Sequence, residues 1–352
     1  MPNTGSRFVC TLVLIVGVGL TFATPAIAAP RWLEEGPGPI LNGQEVIPPD
    51  NPVSGAINAI VASRTDPDLV YVGTVNGGVW RTTDATADSP SWTPLTDRRL
   101  PGLSINSLAI SPINSRILFA RTGSTSAFGG DGSPGFGVAR SISGGASWTV
   151  LAQDTFAGRK INSIVPTALE GGNLVLAATL FDGGGVFRSV DLGDSFIRLS
   201  GNGSSGLPAQ GVSSLVADPG NRNRFYAAVP AIFSATGSEG VYRSDDEGLT
   251  WAAVNTGLTG LGTSFRILLA VHNNSSQGTN AVYAAILSDG TTRALEGVFR
   301  SDNLGVTLDS AGCTCSANLP SRSDGAAWGC RGRSHGPERC LHCRRRGWNL
   351  AR

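Results

Sequence analysis

The sequence predicts an all-β fold assembled from repeated four-stranded sheets, and three observations carry that prediction. With 47 Gly and 20 Pro in 352 residues and only 15% charged side chains, the composition suits short strands joined by many turns and leaves little material for helices. A motif of the form Gly-Val-Phe-Arg-Ser-x-Asp-x-Gly-x-Thr-Trp recurs five times. Ahead of the copies lies a second shared pattern, two apolar runs separated by a polar turn.

The copies run from Val79-Trp80-Arg81 to Trp92, Val138-Ala139-Arg140-Ser141 to Trp148, Val186-Phe187-Arg188-Ser189 to Phe196, Val241-Tyr242-Arg243-Ser244 to Trp251, and Val298-Phe299-Arg300-Ser301 to Leu308. Their arginines are spaced by 59, 48, 55 and 57 residues, a period that marks a repeated supersecondary unit. Upstream, the first unit has Ile57-Asn58-Ala59-Ile60, the turn Arg64-Thr65-Asp66-Pro67 and Val70-Tyr71-Val72. The second has Ile105 to Ile110, Pro112 and Ile117-Leu118-Phe119; the fourth has Val212 to Val216, Asp218-Pro219 and Phe225-Tyr226-Ala227. Each unit therefore holds four short strands. Such a sheet cannot bury both faces until neighbours stack on it, so the units read as blades of a β-propeller.

Within the motif, a carboxylate two residues after Ser can accept backbone N–H groups of the turn, the Gly permits a positive φ, and the aromatic ring packs beneath the hairpin. That structural role falls to Ser141, Gly145 and Trp148; to Ser189, Asp191, Gly193 and Phe196; to Ser244, Asp246, Gly248 and Trp251; and to Ser301 and Gly305. Ser143 and Asn303 replace the Asp, Leu308 replaces the aromatic residue, and the first copy carries an insertion between Asp84 and Trp92. From Trp32 to Ser310 these motifs resemble the Asp-box (BNR) repeat β-propellers, a family that includes sialidases, sortilin-type receptors, some plant-polysaccharide hydrolases and a photosystem assembly factor. The resemblance implies five blades of a propeller that originally had six or more. An orphan outer strand, Trp32-Leu33-Glu34-Glu35, adds to the expectation of a further blade lost from the C-terminal side.

The ends differ from the body. Arg7, the apolar run from Phe8 to Leu20 and the small residues Ala26-Ile27-Ala28-Ala29 read as a secretory signal peptide over residues 1–28, which makes the protein secreted or periplasmic and leaves no membrane segment after cleavage. The propeller is expected over 29–310 and an aberrant tail over 311–352. This tail holds five of the six cysteines and eight Arg against Asp324 and Glu338, so the remainder of the chain is mildly acidic and lacks the basic face that nucleic-acid binding requires. Its Cys, Arg, Gly and Trp content fits a reading frame lost near Leu308 and a disordered segment. Cys313, Cys315, Cys330, His335, Cys340, His342 and Cys343 contain one Cys-x-x-Cys but not the paired short spacings of a zinc module. No metal or cofactor is expected.

Strand order maps the two ends of the propeller. The motif turn, between third and fourth strands, shares its end with the turn between first and second. The ligand funnel is expected at the opposite end, where second strands connect to third ones through Asn76-Gly77-Gly78, Ser124 to Gly137, Asp182 to Gly185, Ser234 to Gly240 and Ser288 to Gly297. Asp131, Asp182, Glu239, Asp289 and Glu296 are the candidate polar ligands there. Aligning the first strands places Asn58, Asn106, Asn162, Ser213 and Arg266 in one ring at the channel, with Arg266 suited to a carboxylate-bearing sugar. The sialidase pattern is poorly met, since no Arg-Ile-Pro exists and Phe265-Arg266-Ile267-Leu268 follows the fourth motif. His272, the body's one histidine, offers no Ser-His-Asp set. The expected function is non-catalytic binding of an extracellular glycan or protein on the funnel face. The alternative, which the family resemblance implies, is a glycoside hydrolase acting on extracellular polysaccharide through two acidic groups or an activated Tyr.

Overall fold

The computed structural model describes residues 56–310 apart from residues 98, 124–134, 136, 157–158, 160, 182, 234–236 and 289–293. Residues 1–28, expected as a signal peptide, Trp32 to Glu35, expected as an outer strand, residues 311–352, and Asp131, Asp182 and Asp289 lie outside the described residues.

The chain forms a β-propeller array of five four-stranded antiparallel sheets, each built from four strands in sequence order. Sheet 1 comprises β1 (Ile57–Ala62), β2 (Val70–Thr74), β3 (Val79–Thr82) and β4 (Thr93–Pro94). Sheet 2 comprises β5 (Ile105–Ile110), β6 (Leu118–Thr122), β7 (Val138–Ser141) and β8 (Thr149–Leu151). Sheet 3 comprises β9 (Ile161–Pro166), β10 (Val175–Thr179), β11 (Gly185–Ser189) and β12 (Ile197–Arg198). Sheet 4 comprises β13 (Ser214–Asp218), β14 (Asn221–Val229), β15 (Gly240–Ser244) and β16 (Ala252–Ala253). Sheet 5 comprises β17 (Ser264–Asn274), β18 (Thr279–Ser288), β19 (Leu295–Ser301) and β20 (Asp309–Ser310). The first strands β1, β5, β9, β13 and β17 are consecutive neighbours, which makes them the innermost.

Stacking explains the sequence pattern. Strands β6 and β10 are buried at every position because a sheet covers each face, so they read as apolar runs rather than alternations. One side of a strand packs backward and the other forward. Leu118 and Ala120 join Tyr71 and Val79 of sheet 1, whereas Phe119 joins Ile164, Ala177 and Phe187 of sheet 3. Sheets 3 and 4 meet through Leu176, Ala178, Phe225 and Ala227, and sheets 4 and 5 through Tyr226, Ala228, Val282 and Ala284. A one-turn helix, α1 (Gln153–Phe156), was not legible in the sequence; it drives Phe156 between sheets 2 and 3, edge-on to Phe187 and Phe196 at 5.0 Å between centroids.

The arginine of the motif is the joint between sheets. Its side chain crosses to a backbone carbonyl in the next sheet's third-to-fourth turn: Arg81 Nη1 to Gly144 O at 3.3 Å, Arg140 Nη1 to Leu192 O at 2.9 Å, Arg188 Nε to Glu247 O at 3.2 Å and Arg243 Nη1 to Leu304 O at 3.1 Å. These are charge-assisted bonds at half-buried positions, each worth about 1.5–3 kcal/mol when well shielded.

The polar ring needs a correction. β-Bulges interrupt the first strands between Ile57 and Ala59, between Ile105 and Ser107, and between Ser264 and Arg266. The fifth-sheet counterpart of Asn58 and Asn106 is therefore Phe265, and Arg266 falls one position later, beside Ala59, Ser107, Ser163 and Ser214. The ring also serves packing. Asn58 donates to Ile105 O at 3.2 Å, Asn162 to Val212 O at 3.0 Å and Ser213 to Ile267 O at 2.7 Å, each stitching an inner strand to its successor. His272 sits within β17.

Candidate functional site

The motif turns are closed chemical units. In sheet 4, Ser244 Oγ accepts the Gly248 N–H at 3.0 Å and donates to Asp246 Oδ1 at 2.8 Å, while Asp246 accepts Thr250 N–H at 2.9 Å and the Thr250 hydroxyl at 2.5 Å. Sheet 3 repeats this with Ser189, Asp191, Gly193 and Ser195. Burial alone would raise the Asp191 and Asp246 carboxyls, but their hydrogen bonds outweigh it and hold both below the usual carboxylate value. Asp84 is held low chiefly by the Thr82 hydroxyl. Two successive left-handed residues make the hairpin: Leu192 and Gly193 at φ 60° and 90°, Glu247 and Gly248 at 64° and 81°, Leu304 and Gly305 at 61° and 87°. Aromatic packing follows the expectation, with Trp251 buried and its indole N–H donating to Gly248 O at 2.9 Å, and with Leu308 fully buried in the aromatic position. Ser141 and Ser301 accept the Gly145 and Gly305 N–H groups, both at 2.8 Å. Trp148 and Phe196 are half-buried against the cores.

These turns lie against the first-to-second turns, as strand order requires: the N–H groups of Ala85, Gly144, Leu192 and Glu247 bond to Asp68, Arg116, Asn173 and Asn223 carbonyls of their own sheets. At this same end the inner strands of sheets 1 to 4 surround a cavity of about 380 Å³, lined by residues including Arg64, Pro112, Pro166, Asp218, Pro219 and Arg222. Asp218 is committed to structure, accepting Gly220 N–H at 2.8 Å and Asn273 Nδ2 at 2.8 Å.

At the loop end, two of the sequence-selected acids come to one place. The turn before β17 runs through Gly260 to Thr263; a methyl added at Gly260 would stand 3.3 Å from Glu296 Cβ, and one at Gly262 would stand 3.6 Å from Glu239 Oε1. Ser264 anchors this turn, donating to Leu261 O at 2.6 Å and accepting Ala231 N–H at 2.9 Å. Glu239 Oε2 accepts Gly237 N–H at 2.9 Å, and Tyr242 holds the same loop through Ser238 O at 2.8 Å. Glu296 is exposed, and so is Arg266, two residues beyond Ser264.

A residue the sequence reading passed over interacts electrostatically with Arg266. Arg121, near the loop end of β6, is 1% exposed. Burial, and secondly the positive charge of Arg266, pushes its guanidinium down to about 9. An arginine closing an otherwise apolar run, Leu118-Phe119-Ala120-Arg121, was the available signal. Among the described residues, no group of three His, Cys, Asp or Glu side chains is placed to hold a metal ion.

No protein-family model matches the chain, and no curated protein matches it. Solved structures do. An ancestral GH74 enzyme superposes with a TM-score of 0.53 at 20% identity, over 80% of this chain and 32% of that one. The GH74 enzyme of Niastella koreensis gives 0.50 at 18% identity, over 73% and 37%. The likeness is one of fold, and the chain spans about a third of the length of these two proteins.

Proposed function

We propose that this chain is an Asp-box propeller of the exported kind, binding an extracellular glycan at its loop end without cleaving it. The observation that carries this reading is the division of labour between the ends. Asp84, Asp191 and Asp246 spend their carboxylates on their own turns, whereas Glu239 and Glu296 adjoin the turn at Gly260 to Thr263, and Arg266 is exposed two residues beyond Ser264. Planar carboxylates and a guanidinium suit hydroxyl-rich or carboxylate-bearing sugars. The Asp-box assignment is supported by the paired left-handed residues and the Ser-to-Gly bond in sheets 3 to 5.

Glycoside hydrolysis is the second reading, favoured by two carboxyl groups adjoining one turn and by a fold shared with GH74 enzymes. Affinity electrophoresis of the purified protein in neutral and acidic polysaccharides, with a reducing-end assay on the same samples, separates the two. Retention without new reducing ends, weakened several-fold by Arg266→Ala, supports binding. Turnover abolished by Glu239→Gln or Glu296→Gln would replace binding with hydrolysis, and neither retention nor turnover would overturn both.

A further inference from the structure

Each of the four joints between sheets is made by a pair of side chains facing one another across the second and third strands. Tyr71 lies opposite Arg81, Phe119 opposite Arg140, Leu176 opposite Arg188 and Tyr226 opposite Arg243. In every pair the arginine bonds the carbonyl described above, and the second-strand side chain covers the same turn. A methyl on Gly193 would sit 3.3 Å from the Phe119 ring, one on Gly248 3.1 Å from Leu176, and one on Gly305 3.2 Å from the Tyr226 ring. The pair is a receptor for a hairpin turn with two left-handed residues.

Sheet 5 carries the receptor a fifth time. Tyr283 lies opposite Arg300 in the same register, yet Tyr283 is 38% exposed and Arg300 is exposed too. Leu268, on the same forward side of the sheet, is also exposed. This continues an interface built four times over, with nothing among the described residues seated on the fifth copy. The first sheet of a second molecule does not supply the required turn, because the stretch from Thr82 to Ser91 has no residue of positive φ. The four turns that do have the left-handed pair are already gripped within their own chain.

The tail supplies one. Set apart from the repeats by composition, it still reads Ser321-Arg322-Ser323-Asp324-Gly325-Ala326-Ala327-Trp328, which repeats the second-sheet turn Ser141-Ile142-Ser143-Gly144-Gly145-Ala146-Ser147-Trp148 at Ser, Ser, Gly, Ala and Trp. Asp324 takes the place of Gly144, whose carbonyl meets the arginine, and Asp is among the residues that tolerate a left-handed conformation. Ser310 pairs with Phe299, beside Arg300, and the ten residues from 311 to 320 reach up to about 33 Å. We propose that residues 321–328 fold back in the same molecule as a sixth turn, with Asp324 O on Arg300 and Gly325 under the Tyr283 ring.

Photo-crosslinking of the full chain tests this, with benzoylphenylalanine in place of Tyr283 and, as a control, in place of Tyr226. The control should label residues 304–305. The proposal expects position 283 to label residues 321–328 within the same molecule, as shown by mixing isotopically light and heavy protein, and expects Gly325→Val to remove the label. A label on a second molecule, or none in 321–328 while the control labels its turn, overturns it. Independently, phenylglyoxal should modify Arg300 at least several-fold more slowly in the native chain than in Gly325→Val; equal rates overturn the proposal whatever the cross-links show.

Discussion

Replacing Asp246 by Ala and by Asn separates what its charge does from what its shape does. The carboxylate accepts three bonds, from the Ser244 hydroxyl and from the N–H and hydroxyl of Thr250. Charge-assisted bonds contribute about 1.5–3 kcal/mol each when shielded, but Thr250 is exposed and water can serve its donors once the carboxylate is gone. Asp246→Ala should therefore cost about 1–2 kcal/mol in total. The protein contains its own control for Asn. In sheet 5, Asn303 Oδ1 accepts the Ser301 hydroxyl at 2.7 Å and Thr307 N–H at 2.9 Å, and its Nδ2 donates to the Thr307 hydroxyl at 2.9 Å. Asp246→Asn needs only a rotated Thr250 hydroxyl, and should cost under about 1 kcal/mol at neutral pH. The folded carboxyl titrates below its unfolded value of 3.8, so its stabilisation is complete above that value and is lost as pH falls through the folded pKa. The gap between the parent and Asp246→Asn should then shrink between neutral pH and about pH 3. Urea unfolding followed by tryptophan emission, to which the buried Trp251 contributes, measures both gaps. If Asn costs as much as Ala, or if the gap is independent of pH, the account of the turn as a charge-assisted cap is wrong.

Burial pushes the Tyr226 phenol up to about 12, so its contribution is whole below the unfolded value of 10.0 and declines as pH rises between the two; Tyr226→Phe, which also loses the 2.8 Å bond to Leu304 O, should cost about 1 kcal/mol at neutral pH and blunt alkaline unfolding measured at about pH 11. Gly248→Ala places a Cβ 3.1 Å from Leu176 at φ 81°, and a drop of about 1–2 kcal/mol in denaturant unfolding is expected; unchanged stability would remove the conformational argument. Arg188→Ala deletes the joint to Glu247 O and the 3.9 Å ion pair with the same residue, with an expected loss of about 1–2 kcal/mol, and faster amide exchange at Glu247 and Gly248 is the local sign to look for.

Much of this architecture is local and therefore readable. A hydroxyl bonding an N–H four residues on, a carboxylate two residues after it, and a glycine in a left-handed bend are all set within one hairpin, so five copies at a regular period specify five sheets. The polar ring misled because Arg266 was aligned by polarity with Asn58 and Asn106; alignment on the buried aliphatic residues Leu108, Ile164, Leu215 and Ile267 puts Phe265 there instead. Glu239 and Glu296 were chosen separately as loop acids, and no spacing in the chain says that they adjoin the same turn.

By itself, then, the order of residues determined the repeat, the strand count and the chemistry of each turn, because hydrogen bonds between residues close in the chain depend on little beyond it. Tertiary structure alone decided the use of the motif arginine, whose partner lies 52 to 63 residues away in the next sheet, the burial of Arg121, and the placing of Glu239 and Glu296 against one turn. Those depend on how one twisted sheet lies against its neighbour, a property of packed surfaces that a one-dimensional pattern does not encode.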